Sequence, residues 1–274
     1  MPVQENSRWR TVLNMIQLDL HQISTADFIW SGRNTFAFNR CFFVREGTGS
    51  VRNHTTGELH NLRRGGALFM PESADLSFEF RDGLKFLCCH FNLHILPGVD
   101  IFQKERHCRE FAADPVEIER MERMTLAPPD WFGICDFEMF LWRVIRALPL
   151  PPGDTLAELA NLSGRYGGLL RYIQENLSAQ MGVEELAEIA GQSRGTLSRN
   201  FSHDLSIPLK SFLQKELIAQ TSRYLLCSPL SIREIAEHFR FSSEYYFSNF
   251  FKRHTGTTPS AFRKANLHAQ TLLL

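Results

Sequence analysis

The feature that most limits the fold of this chain is a repeat within its last third. The segment VEELAE at 183–188 returns as IREIAE at 232–237, and LSRNF at 197–201 returns as FSNFF at 247–251. The first two segments lie 49 residues apart and the second two lie 50 apart, so the second copy has one extra residue. A period of this length in helical patterns indicates one supersecondary unit used twice. The repeat predicts two helix-turn-helix units.

The first unit, 183–205, combines an apolar face with a polar one. Leu197 and Phe201 are one helical turn apart and are predicted to anchor the second helix to the core. Gly191 suits a tight turn, and Ser193 is a favourable cap for the helix that follows. Recognition helices read base edges with the outward residues of their N-terminal half. Here those residues are Arg194, Gly195, Ser198 and Arg199.

The second unit, 231–254, follows the same plan. Phe247 and Phe251 are its predicted core anchors, and Ser231 and Ser242 are the predicted caps of its two helices. The predicted base-reading residues are Glu244, Tyr245, Ser248 and Asn249, and the predicted phosphate contacts are Lys252 and Arg253.

A helix over 208–227 is predicted to join the two units. About 18 helical residues span about 27 Å. A rod of that length can hold two recognition helices roughly 34 Å apart, which is one turn of DNA. Residues 160–274 carry 13 Lys and Arg against 9 Asp and Glu, although the whole chain has no net charge. This local excess of positive charge favours a surface that faces double-stranded DNA.

A change of composition divides the chain into two predicted domains. Three prolines lie within 149–152, and we place a linker at 149–159. The first domain then covers 1–148 and the DNA-binding domain covers 160–266. The N-terminus is polar, and no run of about 18 apolar residues occurs. The six cysteines form no C-x-x-C pair. A cytoplasmic protein without a membrane segment is therefore expected.

The first domain is predicted to be all-β with flanking helices. Short aromatic and β-branched segments separated by glycine turns over 28–95 favour a small barrel or sandwich. Residues 114–148 change to helical spacing. Two interpretations of the apolar stripe on the second of these helices stay open, packing against the β structure or a homodimer interface. The stripe consists of Ile134, Phe137, Leu141, Val144, Ile145 and Leu148.

The segment 239–264, FRFSSEYYFSNFFKRHTGTTPSAFRK, resembles the C-terminal motif of AraC/XylS-family transcriptional regulators. The resemblance covers about 166–264. It implies a bacterial, sequence-specific DNA-binding regulator of transcription that usually acts as an activator through RNA polymerase. It also implies that the outward residues of both second helices read bases. The chain departs from the family pattern at four positions, which are Ser206, Leu217, Arg240 and Asn249.

The segments 44–51 and 62–71 resemble the two turns of a cupin-type effector domain. In such regulators a barrel of this kind holds a sugar or another small metabolite. Catalytic cupins hold metal through clustered histidines, whereas the histidines of this barrel are separated, so neither a metal nor another cofactor is expected. If the barrel holds a ligand, period-2 alternation alone predicts the residues that line the pocket. These are Phe36, Phe38, Arg40, Phe42, His90 and Asn92.

These observations leave three functions open. The first is a DNA-binding regulator whose barrel binds a metabolite. The second is a cupin-type metal-dependent enzyme or isomerase with a helical appendage. The third keeps the DNA binding but gives the barrel only a role in homodimerisation. The missing ligand cluster and the absence of a P-loop or dinucleotide motif favour a regulator that is not an enzyme.

Overall fold

A computed structural model of the chain describes residues 16–27, 29–72, 74–150 and 155–264. The chain divides into two compact units, which we call the β-rich unit and the helical unit. Of the described residues, the β-rich unit contains those within 20–92, 102–150 and 251–264. The helical unit contains those within 16–19, 93–101 and 155–250.

In the part of the chain that the structure describes, ten strands form two sheets. The strands are β1 (Gln17–Ala26), β2 (Trp30–Thr35), β3 (Asn39–Glu46), β4 (Thr48–Asn53), β5 (Leu59–Arg63), β6 (Gly66–Met70), β7 (Asp75–Phe80), β8 (Lys85–Leu96), β9 (Val99–Asp100) and β10 (Arg109–Ala112). One sheet has the order β1-β8-β3-β6-β10, with β9 paired to β8, and the other has the order β2-β7-β4-β5. The predicted β-rich first domain is therefore present.

The two sheets share one apolar core in the β-rich unit. Phe42 and Phe86 contribute to this core from the six-stranded sheet, and Val51 and Phe78 contribute from the four-stranded sheet. Alternate residues of a strand face opposite sides, and this places Arg40, Phe42 and Val44 of β3 on the same face. A closed cupin-like barrel is not confirmed, because the described strands form two separate sheets.

Two helices follow β10, and the second packs against β3 of the larger sheet. Helix α1 (Pro115–Thr125) begins after Asp114, whose side chain accepts a hydrogen bond from the backbone N–H of Val116, and helix α2 (Trp131–Arg146) begins after Asp130. The ring of Phe140 in α2 packs 5.2 Å from that of Phe43 in β3.

The predicted stripe of α2 is only partly buried. Leu141, Val144 and Ile145 are buried, and so is Leu148 beyond the helix end, whereas Ile134 is 46% exposed. The first interpretation, packing against the sheet, therefore accounts for the C-terminal half of the stripe.

The helical unit contains the predicted helix-turn-helix units. Its helices are α3 (Thr155–Asn176), α4 (Val183–Ile189), α5 (Arg194–Leu205), α6 (Leu209–Cys227), α7 (Ile232–His238) and α8 (Glu244–Thr255), the last of which ends beyond the unit boundary. Helix α3 starts inside the predicted linker, of which residues 151–154 lie outside the described residues. Helix α6 begins after Pro208, as the sequence predicts.

The core of the helical unit joins α3, α4, α5 and α6. Tyr166, Leu186, Leu197 and Phe201 are all at most 1% exposed within this core. The two predicted anchors of the first unit are thus buried, and this fixes which face of α5 remains outside. In the described part of the chain, no helix is long and apolar enough to span a membrane.

Candidate nucleic-acid interface

The turn of the first unit is a left-handed break between α4 and α5. Gly191 has φ +61°, and its N–H donates to the carbonyl oxygen of Glu188 at 3.0 Å. The N–H of Gln192 donates to the carbonyl oxygen of Ala187 at 3.0 Å. These bonds satisfy carbonyl groups that the end of α4 leaves free. Glycine enters this conformation without the Cβ clash that other residues meet.

Ser193 caps α5 as predicted, because its hydroxyl oxygen accepts a hydrogen bond from the N–H of Thr196 at 3.2 Å. Arg194, Gly195 and Arg199 are exposed, and Ser198 is half-buried. The first two turns of α5 therefore expose three of the four residues that the sequence nominates, and Ser198 is partly exposed.

The two arginines of this surface differ in their surroundings. The guanidinium of Arg194 lies 2.6 Å from a carboxylate oxygen of Glu184 in α4. Arg199 makes no ion pair with any residue for which the structure gives a position. Arg199 is thus the more available donor for a base edge or a phosphate. Unlike Arg194, it need not first break an ion pair with a carboxylate of the described residues.

The second unit repeats this turn with a different residue. Arg240 has φ +54°, and its N–H donates to the carbonyl oxygen of Glu237, while the N–H of Phe241 donates to that of Ala236. The pattern of bonds is the same as at Gly191 and Gln192. Arg240 therefore occupies a left-handed conformation in which its Cβ is unfavourable.

The caps of the second unit confirm one prediction and correct another. Ser231 and Glu234 form a reciprocal capping box at the start of α7. At the start of α8 the capping hydroxyl is that of Ser243, which accepts from the N–H of Tyr246 at 3.1 Å. The prediction of Ser242 was wrong by one residue because the extra residue of the second copy lies in its turn.

The outer face of α8 is polar but less basic at its start. Glu244, Tyr245 and Asn249 are exposed, Tyr245 to 77%, while Ser248 is half-buried. Lys252 and Arg253 are also exposed, in the last turn of the helix. The positive charge of this copy therefore lies away from the end that would enter a groove.

A second cluster, in the β-rich unit, contains the nominated pocket residues. The guanidinium carbon of Arg40 lies 3.8 Å from the ring centre of Phe36 and 5.0 Å from that of Phe78. The rings of Phe38 and His90 stack with centres 4.7 Å apart. Phe42 belongs to the adjoining core. Alternation along β3 and β8 therefore brings the nominated side chains to one face of the sheet.

Asn92 belongs to a buried polar network at the edge of this cluster. Its amide nitrogen donates to Glu72 at 3.2 Å, and its oxygen lies 2.7 Å from Nε2 of His21. The sequence interpretation missed His21 and Phe78 as neighbours. Phe78 was recognisable from the alternation of 76–80, which places Leu76, Phe78 and Phe80 on one face.

Burial sets the protonation of the cluster. It lowers the pKa of Arg40 to about 10 and raises the pKa of Cys88, and likewise that of Cys108, to about 12. Burial and the nearby charge of Arg40 hold the pKa of His90 well below its usual range. Near neutral pH Arg40 is therefore positively charged, whereas His90, Cys88 and Cys108 are neutral. Across the described residues, no group of three or more His, Cys, Asp or Glu side chains is placed to hold a metal ion.

Comparison with known proteins identifies the helical part of the chain. Residues 186–265 match a family described as a helix-turn-helix domain. The transcriptional activator AarP of Providencia stuartii is 26% identical over 106 residues, which are 39% of this chain and 78% of AarP. The uncharacterised HTH-type transcriptional regulator YfiF of Bacillus subtilis is 35% identical over 92 residues, 34% of this chain and 29% of YfiF.

Solved structures of ToxT from Vibrio cholerae resemble nearly the whole chain. One has a TM-score of 0.57 at 11% identity and covers 91% of this chain and 98% of ToxT. Another, ToxT bound to an unsaturated fatty acid, has a TM-score of 0.53 at 12% identity and covers 90% of this chain and 94% of that one. At such low identity the likeness concerns the fold, and it extends over both units.

Proposed function

We propose that the chain is a sequence-specific DNA-binding regulator of transcription of the AraC type, because residues 186–265 match a family described as a helix-turn-helix domain. The DNA-binding domain is 160–266, and the linker 149–159 joins it to the effector domain 1–148. The observation that carries this proposal is the pair of similar turns that present α5 and α8. In both copies the apolar side of the second helix is buried and its N-terminal polar side is exposed.

Direct reading of bases is assigned to the exposed start of each recognition helix. In α5 the residues are Arg194, Gly195, Ser198 and Arg199, and in α8 they are Glu244, Tyr245, Ser248 and Asn249. Arginine pairs bidentately with guanine and asparagine with adenine in the major groove. Lys252 and Arg253 are assigned to phosphates, because they lie in the last turn of α8.

The regulator acts as an activator that contacts RNA polymerase. AarP, which shares the helix-turn-helix part, is described as a transcriptional activator. The β-rich unit binds a small-molecule effector and makes the regulator respond to it. The effector is either a sugar or another small metabolite. The ToxT structure with a bound fatty acid supports a ligand-binding role for a protein of this fold.

A second copy of the chain is the proposed partner of helix α2. Trp131 and Phe132 are 82% and 83% exposed at its start, and Trp142 is 40% exposed further along. Unpaired aromatic side chains in such numbers are typical of interfaces. Sedimentation equilibrium of the full chain and of Trp131→Ser/Phe132→Ser should give a dimer for the first and a monomer for the second. If the wild type were a monomer at high micromolar concentration, the proposed dimer would be contradicted, and ligand binding would be the remaining proposed role of the β-rich unit.

The decisive experiment is selection of bound duplexes from random DNA with the full chain. We expect enriched sites with two short conserved elements about one helical turn apart, since two recognition helices occur in one chain. Binding should weaken steeply with salt, because phosphate contacts release counterions. Failure to enrich any sequence at low salt would contradict the proposal.

A further inference from the structure

Arg40 is a buried cation without a protein counter-ion. It lies on β3 with 3% of its surface exposed, and its Nε has no hydrogen-bond partner. No carboxylate of the described residues forms an ion pair with it, and the ionisable neighbours that act on its pKa are the thiols of Cys88 and Cys108. Those thiols are neutral near pH 7, because burial raises the pKa of each to about 12. Among the described residues, no carboxylate therefore compensates the positive charge of Arg40.

A second unpartnered polar atom lies beside it. Nδ1 of His90 is buried and makes no hydrogen bond, while Nε2 lies 3.0 Å from the sulfur of Cys88. His90 is 5% exposed, and it is close enough to Arg40 for the arginine charge to lower its pKa. Buried polar groups in folded proteins nearly always have partners, and buried charges are paired. Two such atoms in one cluster offer a polar ligand hydrogen-bonding groups that the described residues do not use.

We infer that the effector carries a carboxylate, which pairs with the guanidinium of Arg40 while its apolar body lies among Phe36, Phe38 and Phe78. This inference rests on the proposed effector role of the β-rich unit. A guanidinium offers two parallel N–H donors that match a carboxylate. Because His90 is neutral, one negative charge balances the cluster. A sugar would leave the charge of Arg40 uncompensated, and the aromatic surroundings offer few of the donors and acceptors that its hydroxyls require.

Phe36 links this site to the end of the chain. Its ring is half-buried and lies over the face of the guanidinium, so a carboxylate that pairs with the N–H groups of Arg40 lies next to it. The same ring lies 5.8 Å from that of Phe262, which in turn lies 5.3 Å from that of Phe251 in α8. All of these residues belong to the β-rich unit. A ligand at Arg40 therefore lies beside a series of ring contacts that reaches Phe251, the part of α8 that belongs to the same unit.

Thermal unfolding of the full chain tests the ligand class. The probes are straight-chain carboxylates from acetate to dodecanoate, benzoate and phenylacetate, each paired with its neutral amide, together with arabinose and glucose at equal ionic strength. We expect at least one carboxylate to raise the Tm of the wild type, since a ligand that binds the native state stabilises it. Its amide and the sugars should have no effect. Arg40→Met should lose the response, and Arg52→Met, which changes an exposed arginine of β4, should keep it.

The Tm of Arg40→Met without ligand gives an independent test of whether Arg40 lacks a counter-ion. Arg40→Met should unfold at the same or a higher Tm than the wild type, because it removes an uncompensated buried charge. A lower Tm would mean that the fold already satisfies Arg40, and the inference would be overturned. It would also be overturned if no carboxylate shifted the wild type, if amides or sugars did so equally, or if Arg40→Met kept the response.

DNA affinity separates this inference from the proposed function. The active carboxylate should change the Kd of the wild type for its selected duplex about fivefold or more, and leave that of Arg40→Met unchanged. A chain that binds selected DNA but ignores carboxylates contradicts only the ligand class. A chain that binds carboxylates but no duplex contradicts the regulator. Carboxylate binding without any change in DNA affinity contradicts the link through Phe36.

Discussion

The two helix-turn-helix copies have left-handed residues at the same two positions, but glycine occupies a different one of these positions in each copy. The turn after the first helix has a left-handed residue in both, Gly191 in the first copy and Arg240 in the second. The end of the second helix also has one in both, Ser206 in the first copy and Gly256 in the second. Each copy thus places a non-glycine residue at one of two positions where its counterpart has glycine. The conformation is therefore imposed by packing and hydrogen bonds, and not by local preference alone.

The cores of the copies differ in their chemistry. The first copy buries Leu186, Leu197 and one aromatic ring, Phe201. The second buries a group of aromatic rings whose centres are about 5 to 6 Å apart, and these are Phe241, Phe247 and Phe250. Aromatic pairs stabilise beyond the area they bury. The second copy can consequently tolerate its unfavourable turn residue.

Truncation of the buried aromatic anchors should change the free energy of unfolding more than any other substitution in the two copies. Phe201→Ala and Phe247→Ala each remove a ring that is 0% exposed and should lower the free energy of unfolding by about 3–5 kcal/mol. Urea unfolding measures both. Tyr245→Ala, which changes a ring that is 77% exposed, is the matched control and should be close to neutral. A small effect at only one anchor would show that the two copies do not depend equally on their cores.

Arg199→Ala should weaken specific DNA binding by about 1–3 kcal/mol and relax the preference at one base position. Asn249→Ala, at the corresponding surface of α8, should cost less, because asparagine carries no charge. Fluorescence anisotropy with selected and single-base-changed duplexes measures both losses. If Arg199→Ala bound every duplex equally less well, Arg199 would contact a phosphate. If Asn249→Ala cost as much, the two copies would read DNA to the same degree.

The caps provide a smaller and sharper test. Ser193→Ala and Ser243→Ala should each lower the free energy of unfolding by about 1 kcal/mol, since each removes the hydroxyl that accepts the first free N–H of its helix. Ser242→Ala is the control for the second copy and should be nearly neutral. The result would be measured by urea unfolding. Equal losses from Ser242→Ala and Ser243→Ala would place the start of α8 elsewhere.

The caps also illustrate how far the sequence reaches. The repeat located both units and their anchors, because helical spacing and burial are local in sequence. The same 50-residue offset that relates 197 to 247 relates Ser193 to Ser243, so the cap could have been found by placing the extra residue before it. The uncompensated charge of Arg40 could not have been found, because counter-ions are defined by distances across the sheets. Alternation nominated Arg40 for the pocket but said nothing about its partners.

Substitution of the two left-handed turn residues should give the smallest change in the free energy of unfolding. It compares the two copies at equivalent backbone positions. Arg240→Gly should raise the free energy of unfolding by about 0.5–1 kcal/mol, because relief of the left-handed strain exceeds the extra freedom of glycine in the unfolded chain. Gly191→Ala should lower it by a similar amount, since no neighbouring atom lies within 4 Å of the added Cβ and the penalty is conformational. Urea unfolding at a common slope measures both. If Arg240→Gly were destabilising, contacts of the Arg240 side chain would outweigh the strain, and the two turns would be alike in backbone but different in what holds them.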